Sequence, residues 1–501
     1  MKRNADHTRF NASSVPVVTL AIVSLWLAAG CTSGPDFSKP MDIRHADAET
    51  IVTFDMDGDG CADYWQYQES NGRKRALAYT IPLVGTTGER IELDDVDPAS
   101  CPHFLIALDG VPFDVVDRLY REGRFRLFYP PRRLICCFPS MTDLALAQLF
   151  HAGPCLAYET LYYDRAAGRM SDGNSVYLNA LNSPWLPKVD YRCSYWWDAK
   201  AYLDPKAVFN HELRGITKTF EAVEAGEAAG YSVGTAGLGT RGGRDAIREY
   251  LIEIDQLCEQ IVWQRRGRVK LTLVADHGHN LTECKRVSLK APLTNAGYRV
   301  TKSLREPRDV VVVEYGLVTY AALYTDDATG VAACLLGLPE VELAFYRADD
   351  SVVVRDAGGE AGITKRDGGY TYDVRSGDPL QLAPIIAGLQ KNHKVTADGT
   401  IDDTAMFAAT AEHVYPDPLA RIWGAFHDVA TMPPDVVVTL RDGACHGSKF
   451  FHVMIGTVKS THGSLNRINS TTIAMTMLGE LPEVMRSTDV KSALDRLRGS
   501  R

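Results

Sequence analysis

Val269-Lys270-Leu271-Thr272-Leu273-Val274-Ala275-Asp276-His277-Gly278-His279 is the stretch on which the fold turns. Its apolar and β-branched run is what a central parallel strand needs, because both faces of such a strand are covered. The run ends in Asp-His-Gly, an oxygen ligand beside a nitrogen ligand, followed by a residue that permits a tight bend. In open α/β sheets, ligands gather at the carboxyl ends of strands. Asp276 and His277 therefore stand where chemistry is done. The plainer reading is a strand-ending turn whose Asp caps the next helix. His279, two residues on, reads either as an outer partner of the ligands or as a solvated loop histidine.

Upstream, Cys101-Pro-His-Phe-Leu-Ile-Ala-Leu-Asp109-Gly110 repeats the design of apolar run, carboxylate and glycine. Asp-Gly ends many strands, so one such unit says little alone. Next comes Phe138-Pro139-Ser140-Met141-Thr142-Asp143, leading into the helical pattern of Leu144 to Phe150. Taken alone, Thr142 reads as a helix cap. The same position suits a nucleophile, since a helix N-terminus favours an anion.

Further out lies Phe54-Asp55-Met-Asp57-Gly58-Asp59-Gly60-Cys-Ala-Asp63. Acids at alternate positions, with glycines at the sharp turns, gather carboxylate oxygens around one point, as Ca²⁺ requires. Asp55, Asp57, Asp59 and Asp63 match positions 1, 3, 5 and 9 of an EF-hand-type loop, while Gln66 stands where a bidentate Glu belongs. A metal-free Gly/Asp hairpin is the competing reading. At the N-terminus, Met1-Lys-Arg precedes an apolar stretch, Val15 to Ala29, too short for a confident membrane span. It ends Leu27-Ala-Ala-Gly30-Cys31, which resembles the bacterial lipobox: cleavage before Cys31, then acylation of its thiol. Thr32 and not Asp stands directly after Cys31, so the expected location is the cell envelope, anchored by lipid to the outer membrane.

A chain of 501 residues suggests more than one domain or a single large α/β unit. Net charge of −9, with no block of Lys and Arg, argues against a nucleic-acid surface. Of the 11 cysteines none forms a CxxC pair, which argues against a zinc ribbon. An oxidising compartment would permit disulfides, with no pairing readable from spacing.

In chain order, Asp109-Gly110, Pro139-Ser140-Met141-Thr142, Asp276-His277-Gly278 and Ser460-Thr461-His462-Gly463-Ser464 resemble the alkaline phosphatase superfamily, and within it the type I phosphodiesterase/nucleotide pyrophosphatase branch. The resemblance covers about residues 100 to 290 and 436 to 490. It implies an α/β sandwich with a central, mostly parallel sheet. It implies that Asp109, Thr142, Asp276 and His277 hold one metal, that Thr142 is the nucleophile, and that His462 belongs to a second metal. Mixed Asp and His ligands suit Zn²⁺ or Mn²⁺.

One departure matters. The family's second metal also takes an Asp and a His four residues apart, before a helix. Here Tyr231 to Gly243 contains neither, with Gly234 and Leu238, or in a shifted register Ala236 and Thr240, in their place. Either the enzyme works with one metal, with His462 acting on the phosphoryl group or the leaving group, or the chain is a non-catalytic calcium-binding surface lipoprotein that keeps the fold. Sulfatase chemistry is disfavoured, because Met141 replaces the Arg that would follow Cys137-Phe-Pro139-Ser140.

The expected division is a signal peptide over 1–30, a tether over 31–50, a small β module over 51–95, the first part of the core over 96–290, a sheet return with an α+β insertion capping the site over 291–435, and the rest of the core over 436–501. Tyr162, Tyr163, Trp185, Trp196 and Trp197 read as core packing rather than cleft. Phe451 to Gly456 reads as a strand with His452 packed inside it. The expected activity is hydrolysis of a small phosphate ester, a phosphodiester or a phosphomonoester.

Overall fold

A computed structural model of the chain describes residues 36–46, 48–80 and 88–499. Cys31 and the signal-like stretch lie outside the described residues. Among the described residues no helix is long and apolar enough to cross a membrane.

The fold is mixed α/β, built on two large sheets. The first has six strands in the order Glu227–Ser232, His103–Leu108, Lys270–Ala275, Thr471–Thr476, Arg132–Ile135, Val484–Arg486. All six residues of Lys270–Ala275 are buried, as the apolar run demands. The sheet is mostly parallel, as expected: of its six strands only Thr471–Thr476 runs the other way. Lys270–Ala275 runs parallel to His103–Leu108 but antiparallel to Thr471–Thr476. Thr471–Thr476 also meets Arg132–Ile135 antiparallel.

The second sheet has nine strands and is antiparallel except for one short pairing, Arg299–Val300 with Asp309–Val312. At its middle lies Val436–Leu440, between Tyr320–Thr325 and Val341–Ala348. The expected break at 435 therefore falls beside a central strand. Residues 291–435 form a sheet around that strand rather than a separate cap, and from them Glu314 to Val318 reach the site cavity. The strands Ser351–Arg355, Glu360–Arg366 and Gly369–Ser376 are joined by the two Gly-rich hairpin turns visible in the sequence.

Helix Arg244–Gln264 buries Ile247, Tyr250, Leu251, Ile254 and Leu257, one apolar stripe at helical spacing, in a cluster with the six-stranded sheet. Helix Thr142–Leu149 buries Leu144, Ala145, Leu146, Ala147 and Leu149. It is covered on both sides: Leu144 and Ala145 cluster with Phe345 and Val437 of the large sheet, and Leu146 and Leu149 with Val274 and Ala474 of the smaller one. This sandwiching fixes where Thr142 points.

A five-stranded N-terminal sheet starts at Asp42–His45, inside the stretch expected to be tether. Its Phe54, Tyr64 and Leu77 share one hydrophobic cluster with Phe104, Val262 and Val269 of the core. Phe451 also departs from expectation. Lys449–Ile455 is a helix, capped by the Ser448 hydroxyl, which accepts from the Phe451 N–H at 3.2 Å. His452 lies on this helix, half-buried, and not in a strand. The ten described cysteines form no disulfide with one another.

Candidate metal centre

Two parallel strands end side by side, and each delivers a carboxylate. Asp109 follows His103–Leu108, and Asp276 follows Lys270–Ala275. The two turns are tied together, since the Gly110 N–H donates to Asp276 Oδ1 at 2.9 Å. The His277 N–H donates to the same oxygen at 2.7 Å. Gly110 has φ +66°, and a Cβ there would lie 2.6 Å from the His279 ring. Only glycine serves both needs. Gly278 is forced by close approach, because a Cβ would lie 2.1 Å from the Ile468 carbonyl oxygen.

Thr142 is not a cap. Met141 holds the N-cap position, and no side chain caps the helix. The Thr142 hydroxyl turns instead into the site, with Oγ1 3.2 Å from His277 Nε2 and 3.5 Å from each oxygen of Asp109. His277 Nε2 lies 3.5 Å from Asp109 Oδ1 and 3.4 Å from Asp276 Oδ2. The His277 Nδ1–H donates to the Gly278 carbonyl at 2.9 Å, which leaves the Nε2 lone pair facing the other donors.

Asp109, Asp276 and His277 are all buried, and their donor atoms lie within 4.8 Å of one another. Burial pushes the Asp276 carboxyl up to about 7, against the hydrogen bonds it accepts, and pulls His277 down to about 4. Asp276 Oδ2 is buried with no hydrogen-bond partner. An orphaned carboxylate oxygen, a bare imidazole nitrogen and a hydroxyl facing one point are the donor set of a Zn²⁺ or Mn²⁺ site, and the residues fit such an ion.

His462 joins this group by stacking. Its ring centroid lies 3.9 Å from that of His277, at 15°. Its Nδ1–H donates to the Ser140 carbonyl at 2.8 Å, so Nε2 carries the lone pair. Burial first, then the neighbouring His277, hold it well below the ordinary histidine range. His279 is fully buried, not a solvated loop residue. Its Nδ1 meets the Ser460 hydroxyl, and its Nε2 has no partner.

No second carboxylate-bearing group forms beside His462 among the described residues. The segment that lacks the expected pair folds as helix Gly234–Gly242. Gly234 turns toward Glu212 and Phe209, and Leu238 packs against a hydrophobic cluster. Of the shifted pair, Thr240 lines the cavity with a hydroxyl, and Ala236 is buried without a ligand atom. The Glu212 carboxylate is buried at the start of this helix, where it accepts from the Val233 and Gly234 N–H groups at 3.0 and 2.9 Å.

The centre opens into a cavity of about 490 Å³ that Asp109, Thr142 and His462 help to line. Three of its residues carry chemistry that sequence reasoning did not single out. The Tyr231 hydroxyl donates to Asp109 Oδ2 at 2.6 Å. Glu159 is held in the wall by the Gly316 N–H at 2.8 Å and the Tyr320 hydroxyl at 3.2 Å. Arg192 is the third. Tyr231 had a legible signal, since it sits near the end of the short run Ala228-Ala-Gly-Tyr231-Ser232, as the two aspartates follow theirs. Trp185 is buried and also lines the cavity, while Trp196 is exposed, so the aromatic residues divide between core, cleft and surface.

At the N-terminal loop, oxygens of Asp55, Asp57 and Asp63 lie within 4.8 Å of one another, and Asp59 is not part of this group. The Asp55 carboxylate accepts from the Gly58 and Gly60 N–H groups at 2.7 and 2.8 Å. The Asp59 carboxylate accepts from the Cys61 N–H at 2.7 Å.

No protein-family model matches the chain, and no curated protein matches it. Among solved structures, phosphonoacetate hydrolase from Sinorhizobium meliloti 1021 is similar at 12% identity and TM-score 0.45, over 84% of this chain and 99% of that one. Murine ectonucleotide pyrophosphatase/phosphodiesterase 5 is similar at 12% identity and TM-score 0.40, over 79% of this chain and 94% of that one. Its human counterpart is similar at 11% identity and TM-score 0.41, over 79% and 94%. At these values the likeness is one of outline and says nothing about substrate.

Proposed function

We propose that the chain is a metal-dependent phosphoric ester hydrolase that works with one divalent cation, through a phospho-threonine on Thr142. The observation that carries this reading is the convergence of Thr142 Oγ1, His277 Nε2 and the Asp109 carboxylate within 3.5 Å, beside the orphaned Asp276 Oδ2. Asp109, Asp276 and His277 would hold the ion, with the Thr142 hydroxyl as a further donor. When bound, it lowers the pKa of that hydroxyl and offsets charge on the phosphoryl group.

The chain's own residues do the rest. Thr142 Oγ1 attacks phosphorus, the Oγ–P bond forms, the ester P–O bond breaks, and the proton lost from the hydroxyl ends on the departing oxygen, which leaves as the alcohol. The helix that starts at Thr142 places its N-terminal N–H groups behind the developing negative charge. The Tyr231 hydroxyl holds one Asp109 oxygen at a fixed angle. In the second half, water attacks phosphorus while His462 Nε2 takes its proton; the Oγ–P bond breaks, and that proton passes to Thr142 Oγ1 to restore the hydroxyl. The His462 Nε2 lone pair, left free because Nδ1–H donates to the Ser140 carbonyl, suits that role as base. Attachment to the cell envelope through Cys31 belongs to the same reading.

The test is metal content together with turnover. Elemental analysis of the full chain after mild dialysis should find about one Zn or Mn per chain, lost in Asp276→Ala. Thr142→Ala should lower hydrolysis of a phosphate diester by on the order of 10³-fold or more while the fold stays within about 1 kcal/mol of the parent. Undiminished turnover in that variant would remove Thr142 from the mechanism. Two tightly held ions would show that a second site exists after all.

A further inference from the structure

Three short helices contribute to the wall of the cavity or adjoin it: Asn174–Ala180, Tyr195–Lys200 and Lys449–Ile455. They present large apolar side chains to solvent. Phe450 is 77% exposed, Trp196 74% and Val453 72%. Phe450 and Met454 are exposed and line the cavity as well, so the apolar surface outside continues into it. Exposed apolar patches joined to a pocket mark what the pocket binds.

The wall stays apolar on the way in. The Phe451 ring meets Tyr202 edge-on at 5.3 Å. Deeper, Trp185 meets Tyr231 edge-on at 5.0 Å, and the Tyr231 hydroxyl reaches Asp109. The lining carboxylates away from the metal centre are engaged: Asp143 accepts from the Ser183 hydroxyl and Trp185 Nε1 at 2.6 and 2.7 Å, and Glu159 from the Gly316 N–H and the Tyr320 hydroxyl. The one Lys or Arg in the lining is Arg192, and among the described residues no carboxylate pairs with it. Glu314, also in the lining, is taken up by Arg286 and Lys290 at 2.7 Å each. Tyr191 bridges to Gly230 beside the strand Glu227–Ser232, which brings Arg192 in next to Tyr231.

From this, and resting on the hydrolase reading above, we infer that the substrate is an amphiphile: a phosphoric ester whose alcohol carries a long hydrocarbon chain. The phosphate lies between the Thr142 centre and Arg192. The chain runs along Tyr202 and Phe451 and leaves past Phe450 and Met454.

The test is binding of ethyl, butyl, hexyl and octyl phosphate, each below its micelle concentration, to the full chain supplied with Zn²⁺. Thr142→Ala is used so that binding is read apart from turnover. Affinity should rise by up to about fourfold for each added methylene that is buried. In Phe450→Ser/Met454→Ser, two exposed positions where the fold tolerates the change, the octyl-to-ethyl affinity ratio should fall at least tenfold. Arg192→Gln should weaken ethyl and octyl phosphate by the same factor. Affinity independent of chain length, or a ratio unchanged in the double variant, overturns the inference even if a short ester is hydrolysed. A steep chain-length dependence in a protein that hydrolyses no ester would keep the amphiphile site and overturn the hydrolase instead.

Discussion

Glu159 holds a proton that water would strip from it. Burial pushes its carboxyl from 4.5 up to about 7, while the Gly316 N–H and the Tyr320 hydroxyl pull the other way. The folded chain therefore binds this proton more tightly than the unfolded chain does. Stability is fully present below about 4.5 and falls as pH rises toward 7, by roughly 3 kcal/mol in all. Glu159→Gln removes the titration. The stability of the variant relative to the parent should thus climb by roughly 3 kcal/mol between pH 4.5 and pH 8, read from urea melts at several pH values. A difference that stays flat with pH would mean that solvent reaches the carboxyl. Residues of this kind are hard to find in a sequence. Asp109, Asp276 and Thr142 were legible because each adjoins an apolar run whose period fixes its place. Glu159 and Arg192 sit in irregular segments, where no period says which way a side chain points.

Arg421 shows what one helix does for two loops. It lies on Pro418–His427, and its guanidinium is buried. Nη1 donates to the Pro416 and Leu465 carbonyls at 2.9 and 3.0 Å, and Nη2 donates to the Cys137 carbonyl at 3.2 Å. It also donates to the Ser470 hydroxyl. The loop ahead of Thr142 and the loop after His462 are thereby pinned to one planar group. Arg421→Met should leave those carbonyls unpaired and cost roughly 3–5 kcal/mol, measured by urea denaturation. A loss under about 1 kcal/mol would mean that water replaces the guanidinium. Elements were less legible than residues where two patterns compete. Phe450-Phe-His-Val-Met-Ile455 is apolar enough for a buried strand, and short apolar runs do not separate strand from helix by period. The bracketing residues held the answer: Ser448 caps one end, and Gly456, at φ +73°, closes the other.

The whole molecule departs from its sequence reading where distant segments meet. No local pattern places Val436–Leu440 between Tyr320–Thr325 and Val341–Ala348, because that pairing closes a long loop. The same holds for the N-terminal sheet, which composition sets apart near residue 95 but packing does not. Lys74 on that sheet forms a buried ion pair with Glu259 on helix Arg244–Gln264. Gln66 Nε2 donates to the same carboxylate at 3.1 Å, and Lys270 of the central strand donates to the Leu93 carbonyl at 2.6 Å. A sheet joined to the core by shared apolar burial and a buried pair should not unfold on its own. Lys74→Met leaves Glu259 buried without its cation and should lower stability by roughly 3–5 kcal/mol. The loss should appear in one transition, at the same urea concentration for Trp65 in the small sheet and for hydrogen exchange at Lys270–Ala275. Lys74→Met/Glu259→Leu should recover much of it, because an apolar pair of similar size avoids the unpaired charge. If Lys74→Met instead loosens the signal from Trp65 while the exchange of Lys270–Ala275 stays unmoved, the N-terminal sheet is a separate folding unit and the boundary near residue 95 is a physical one.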